Sequence, residues 1–293
     1  MQAKFVPPLL KRGAESALRQ CSVTRRVRRI PGCLEKKWCL WRGEVLFLRS
    51  ALQNALVRRR GIWYTAWQMK PLRKLEETQS AEGRTWELWQ RDGALSLMLD
   101  GLPVAASYGR GSEEAMAQIA LSPITRAGQP CVMIAGAGLG YGVAAAMQAL
   151  PRAKAKFIIA EPVGEIVEWN RAHGEHAELW QDERVVVEPE SAVELCRKRT
   201  GSLHAILMRH THAPCELSLA DAQAFFNALK GGSLLAILLE RPQKKLQGTL
   251  MRAGFDVSAT PVPISAKGKQ KRMHTLVLAR RGRCVPFAER QKI

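Results

Sequence analysis

The sequence predicts an α/β fold: a mostly parallel seven-stranded sheet with an antiparallel last strand, preceded by a small β-hairpin region. Three observations carry this expectation. Beyond Pro130, short continuous apolar runs alternate with segments of helical length, the pattern of parallel strands covered on both faces by crossover helices. A string of alternate glycines stands directly after the first apolar run and opens a helix. The last two runs are joined by a connection too short to cross over, so they pair antiparallel.

The elements follow in order. TWELWQRDGALSLMLDG alternates polar and apolar residues around Arg91-Asp92-Gly93, a hairpin signal. GSEEAMAQIALSPI reads as a helix capped by Ser112, with acids in its first turn at the positive end of the helix dipole. CVMIA, KFIIAE, RVVVE, LHAILM and SLLAILLE are the first five strands. YGVAAAMQAL, GEIVEWNRAH, SAVELCRKR, LADAQAFFNAL and QKKLQGTLMRAG are the helices that follow them in turn. FDVSATPV and HTLVLAR close the chain as a pair.

An apolar share of 46% is that of a globular protein. The net charge of +19 is concentrated in residues 1–68, which hold 15 Lys and Arg against three acids. That segment is dense in Arg, Trp and Cys, and only GEVLFLRSALQNALVRRR is helix-like, with Val45, Leu48, Leu52 and Leu56 apolar. It reads as a nucleic-acid or membrane-surface arm, as an Arg-rich leader, or as non-native sequence ahead of a start at Met69. The third reading is favoured, and residues 1–68 carry no part of the functional argument.

The seven cysteines form no Cys-x-x-Cys pair, which points to reduced thiols in a cytoplasmic protein without a zinc site. The stretch from Ala127 to Pro151 has no charge, but its five glycines make it strand, loop and helix and not a membrane span. Trp86, Trp89, Trp169 and Trp180 read as core or interface groups.

The sharpest motif is Gly136-Ala137-Gly138-Leu139-Gly140. Glycines there permit tight backbone angles and close approach of a ligand. Glu161 ends the second strand 25 residues later, where a carboxylate can accept both hydroxyls of a ribose. A dinucleotide fingerprint would need its third glycine at Tyr141, whereas the glycines run at 136, 138, 140 and 142. A nucleoside without a pyrophosphate fits better.

That glycine spacing, with the closing antiparallel hairpin, resembles class I methyltransferases and their Rossmann-like fold. Within that superfamily, residues 85–281 are similar to spermidine synthases through GSEEAMAQIAL, VMIAGAGLGYG, IIAEP, DERVVVEPESAVEL, HAILMRHTHAP and HTLVLAR. The resemblance implies S-adenosylmethionine or its decarboxylated form as cofactor. It implies that Gly136, Ala137, Gly138, Leu139 and Gly140 approach the methionine part, that Glu161 holds the ribose, and that Ser191 and Ala192 flank the adenine. It implies a homodimer. The domains are then a basic extension (1–68), a β-hairpin and helix region (69–125) and a methyltransferase-like nucleotide-binding domain (126–293).

The departures from that family fall on its chemistry. Leu139 stands where the synthases carry an Asp that grips the cofactor amine, and Ser191 stands where an Asp holds the adenine. His210 and Ala213 replace the two acids of an Asp-x-x-Asp-Pro segment, and Met116-Ala117 replaces a Tyr-His pair. Polyamines need carboxylates, and this mouth offers Arg209, His210 and His212, so ordinary spermidine synthesis is not expected. His210 and His212 are candidate bases, weighed against a plain surface loop. As a metal pair they have only Cys215 nearby, which is a poor set.

The loop Lys267, Lys269, Lys271 and Arg272 (within 267–272) is a candidate RNA contact without stacking aromatics. Three functions stay open: a transferase using the S-adenosyl cofactor, a non-catalytic scaffold that keeps the fold, and a methyltransferase acting on an anionic or RNA substrate.

Overall fold

The computed structural model describes residues 71–152, 154–210, 215–265 and 272–282, and the backbone alone of four short strands between 40 and 67. The chain divides into two compact units, Met1–Gln68 and Met69–Ile293. In the first, β1 (Leu40–Trp41) pairs antiparallel with β2 (Glu44–Val45), and β3 (Asn54–Arg59) with β4 (Ile62–Trp67). The helix-like reading of residues 43–60 is therefore corrected. Asn54–Arg59 pairs along its whole length with Ile62–Trp67, a β-branched and aromatic run that favours strand, and this pairing overrides the apolar spacing.

The second unit opens with a four-stranded meander of β5 (Arg73–Gln79), β6 (Thr85–Arg91), β7 (Ala94–Leu99) and β8 (Leu102–Ala106). The expected hairpin is β6–β7. Its turn has positive φ at Asp92 (50°) and Gly93 (82°), the type I′ signature that matches strand twist. Asp100 and Gly101 repeat it between β7 and β8. Leu88, Leu95, Leu97 and Leu99 bury one face of this sheet.

Helix α1 (Arg110–Leu121) follows, with Gly109 in the cap position. Ser112 lies inside the first turn, so its reading as the cap is corrected: it donates back to the Gly109 carbonyl at 3.0 Å.

The main sheet has the order β11-β10-β9-β12-β13-β15-β14. Its strands are β9 (Cys131–Ala135), β10 (Lys156–Ala160), β11 (Val185–Glu188), β12 (Leu203–His210), β13 (Leu229–Leu239), β14 (Phe255–Pro263) and β15 (Met273–Arg281). All pairings are parallel except those of β15 with β13 and β14, as expected. Helices α2 (Tyr141–Ala149), α3 (Gly164–His173), α4 (Ala192–Arg197), α5 (Leu219–Ala228) and α6 (Lys244–Arg252) follow β9 to β13 in turn.

Side chains on one face of the sheet, such as Ile134, Phe157, Ile159 and Leu207, join one core cluster; Met133, Ile158 and Ile206 join another. Two-sided burial explains why these strands are continuously apolar, each large side chain contributing roughly 1.5–3 kcal/mol. Strand order reverses between β9 and β12, and a crevice outside the strand ends forms at such a point. Register places Ala135, Ala160 and Met208 side by side, so β9, β10 and β12 end along one edge. Among the described residues no helix is long and apolar enough to cross a membrane.

Candidate functional site

The site is built on that edge. Between β9 and α2, Gly136, Gly138 and Gly140 all have positive φ (87°, 54° and 79°), which L side chains rarely adopt. A Cβ on Gly138 would meet nothing within 4 Å, so the loop presents open backbone there. Helix α2 starts from Gly140 without a side-chain cap.

Glu161 follows β10 directly and its N–H bonds the Glu188 carbonyl at 3.0 Å. Its carboxylate turns back to the glycine loop. Oε2 accepts the Ala137 N–H at 2.9 Å and Oε1 accepts the Val163 N–H at 3.0 Å. The residue is only 5% exposed, and burial pushes its pKa up while the two backbone N–H groups pull the other way. Each oxygen keeps a lone pair beyond the bond it already accepts. Asn170 steadies the loop from α3 by donating to the Gly138 carbonyl at 2.9 Å and to that of Ile166 at 2.8 Å.

The remaining expected residues divide. Ala137 and Leu139 are buried, and Leu139 faces Leu88, Leu95, Leu97 and Trp169 across a narrow crevice. A leucine where a grip on an amine was sought is thus an apolar anchor for the meander sheet. Ser191 is the N-cap of α4 in a reciprocal capping box: its hydroxyl bonds Glu194 Oε2 at 2.8 Å and accepts the Glu194 N–H at 3.3 Å. Ala192 is the first, buried residue of that helix. Met116 and Ala117 belong to the core of α1.

His210 ends β12, half-buried; His212 lies outside the described residues, as do Lys267, Lys269 and Lys271 of the basic loop. Among the described residues no three His, Cys, Asp or Glu side chains gather as a metal would need.

Two long-range pairs escaped the sequence reading. Arg209, at the end of β12, donates from Nη1 to Glu113 Oε1 of α1 at 2.7 Å. Burial raises the Glu113 pKa, opposed by Arg209 and by the Gly142 N–H. A Cβ at Gly142 would sit 3.1 Å from Glu113 Oε2, so the glycine admits this carboxylate. The expected basic mouth is corrected at this point, because the Arg209 charge already faces a carboxylate of its own chain. The second pair joins Ser112 to His274 Nδ1 at 2.9 Å. Neither pair has a local signal: the partners are 96 and 162 residues apart. A groove of about 280 Å³ between α4 and α5 is set aside, since its Arg197 and Arg199 pair with Asp221 and Glu188.

No family model matches the sequence, and no curated protein matches it. Solved structures do. A spermidine synthase from Thermotoga maritima aligns at 16% identity and TM-score 0.58, over 72% of this chain and 73% of that one. A spermidine synthase in complex with the transition-state analogue AdoDATO aligns at 17% identity and TM-score 0.56, over 87% and 85%. At such identities the likeness is one of fold: the chain shares the fold of these spermidine synthases.

Proposed function

We propose that the chain is a transferase that binds S-adenosylmethionine or its decarboxylated form along this edge. The observation that carries the reading is the Glu161 carboxylate, locked against the glycine loop by two backbone N–H groups with one lone pair left on each oxygen. Those lone pairs suit two ribose hydroxyls. The loop fits the cofactor as well: Gly138 opens on free space, and a Cβ at Gly136 would sit 3.9 Å from Glu161 Oε2, in room that a ribose needs. Ala137, Leu139 and Gly140 offer backbone to the methionine part, and Ser191 and Ala192 offer backbone to the adenine. When bound, the sulfonium supplies an electrophilic carbon. Methyl transfer needs mainly positioning, so the loss of the synthase acids does not argue against it.

A second reading, a scaffold that keeps the fold without the chemistry, also has a specific observation behind it. Glu161 is almost fully buried, and each of its oxygens already accepts a hydrogen bond from its own chain.

Calorimetric titration of the full chain with each cofactor form separates the two. The transferase reading expects saturable binding that Glu161→Ala weakens roughly 100-fold or more, since two hydrogen bonds to a charged group contribute about 1.5–3 kcal/mol each. Absence of binding to folded chain leaves the scaffold. The preferred form of the cofactor tells methyl transfer from aminopropyl transfer.

A further inference from the structure

Ser112 and His274 are both buried, at 0% and 7% exposure. The Ser112 hydroxyl is 3.0 Å from the Gly109 carbonyl oxygen and 2.9 Å from His274 Nδ1. A hydroxyl has one proton, and a carbonyl oxygen can only accept. The proton therefore points at Gly109, because otherwise two oxygen lone pairs would face each other at 3.0 Å. The Ser112 oxygen then has only lone pairs to offer, so His274 must donate to it from Nδ1. In a neutral ring this leaves Nε2 bare and basic.

The surroundings keep the ring neutral. Burial lowers the His274 pKa, and the Arg209 guanidinium on β12 lowers it further, while Glu240 beyond β13 raises it. Glu113 on α1 pairs with Arg209 and so tempers its effect. Nδ1 is thus committed to Ser112, and Nε2 is the ring nitrogen left for a substrate.

His274 also stands in the right place. His210 on β12 pairs with Leu239 on β13, and Leu239 pairs with Thr275 on β15. His274 is thus one residue outward of that row, on the half of the edge that the glycine loop and Glu161 leave open. Resting on the transferase reading, we propose that His274 is the proton acceptor for the second substrate and that Ser112 is its positioning residue. The substrate class is an alcohol, phenol or uncharged amine. Nε2 takes the O–H or N–H proton as the oxygen or nitrogen lone pair bonds to the transferred carbon. The electron pair of the broken carbon–sulfur bond goes to sulfur, and the positive charge passes from sulfonium to imidazolium. The ring then returns its proton to solvent.

The test is long-range ¹H–¹⁵N NMR of the full chain labelled in histidine, with His274→Gln assigning the signal. The expected spectrum at pH 7 shows a neutral ring with the proton on Nδ1. S-adenosylmethionine, with binding verified by calorimetry, should move the Nε2 resonance. Ser112→Ala should lose the Nδ1–H preference while leaving the melting curve cooperative, which a purely structural role would not do. If that variant does not fold, the spectrum of the unsubstituted chain decides alone. A proton on Nε2, a charged ring, or an Nε2 signal indifferent to bound S-adenosylmethionine overturns the role of His274 and leaves the transferase reading standing. Absence of S-adenosylmethionine binding overturns both.

Discussion

The two halves of the sheet edge are made in different ways. The glycine-loop half is local and made of backbone: three positive-φ glycines, a helix start, and one carboxylate that bonds N–H groups 24 residues back and two residues ahead. The opposite half is non-local and made of side chains: Glu113 reaches Arg209 and Ser112 reaches His274, 96 and 162 residues away. The difference teaches where each half is vulnerable. Backbone geometry tolerates substitution of nearby side chains, whereas a buried charge tolerates no loss of its partner.

The largest expected effect follows from that contrast. Glu113→Ala leaves the Arg209 guanidinium buried without its carboxylate and should cost about 3–5 kcal/mol of stability, read by urea unfolding. Adding Arg209→Met should recover most of the loss, because no unpaired charge then remains. A loss under about 1 kcal/mol, the range of surface pairs, would show that water reaches the pair and that the halves do not differ as claimed.

A smaller effect sharpens the picture of the glycine-loop half. Ser191→Ala should cost about 1 kcal/mol through loss of the α4 cap, while S-adenosylmethionine affinity stays within about twofold because the hydroxyl is committed to Glu194. A marked fall in affinity would mean that the side chain itself touches the nucleoside.

The same division decides what could be read in advance. The glycine loop, Glu161 and the seven strands of the main sheet announce themselves within short windows, through positive-φ residues and two-sided apolar runs. Ser112 misled as a cap because a serine followed by acids is a cap signal, yet Gly109 starts the helix and the serine faces inward. The meander strand β5 has a charged, mostly exposed sequence without clean alternation, so only its partner β6 was visible. Glu113 and His274 carry no local mark of their partners. Pairings across the sheet are set by topology, which a window of sequence does not contain.

The smallest effect is one of pH. Burial lowers the pKa of both His204 and His274 from the ordinary 6.5, with Lys230 adding to the first and Arg209 to the second. Below 6.5 the unfolded chain takes up protons that the folded chain refuses. The contribution of these two rings to stability therefore rises with pH up to about 6.5 and is lost as pH falls below it. His274→Gln should flatten part of that slope in unfolding measured across pH 5–7, and an unchanged slope would show that the ring is solvated.

The backbone of the glycine-loop half can be read directly. Amide NMR of the ¹⁵N-labelled full chain, titrated with S-adenosylmethionine, should shift the Ala137 and Val163 resonances first and most, because both N–H groups bond the carboxylate proposed to receive the ribose. Binding that leaves those two amides unmoved would contradict the account.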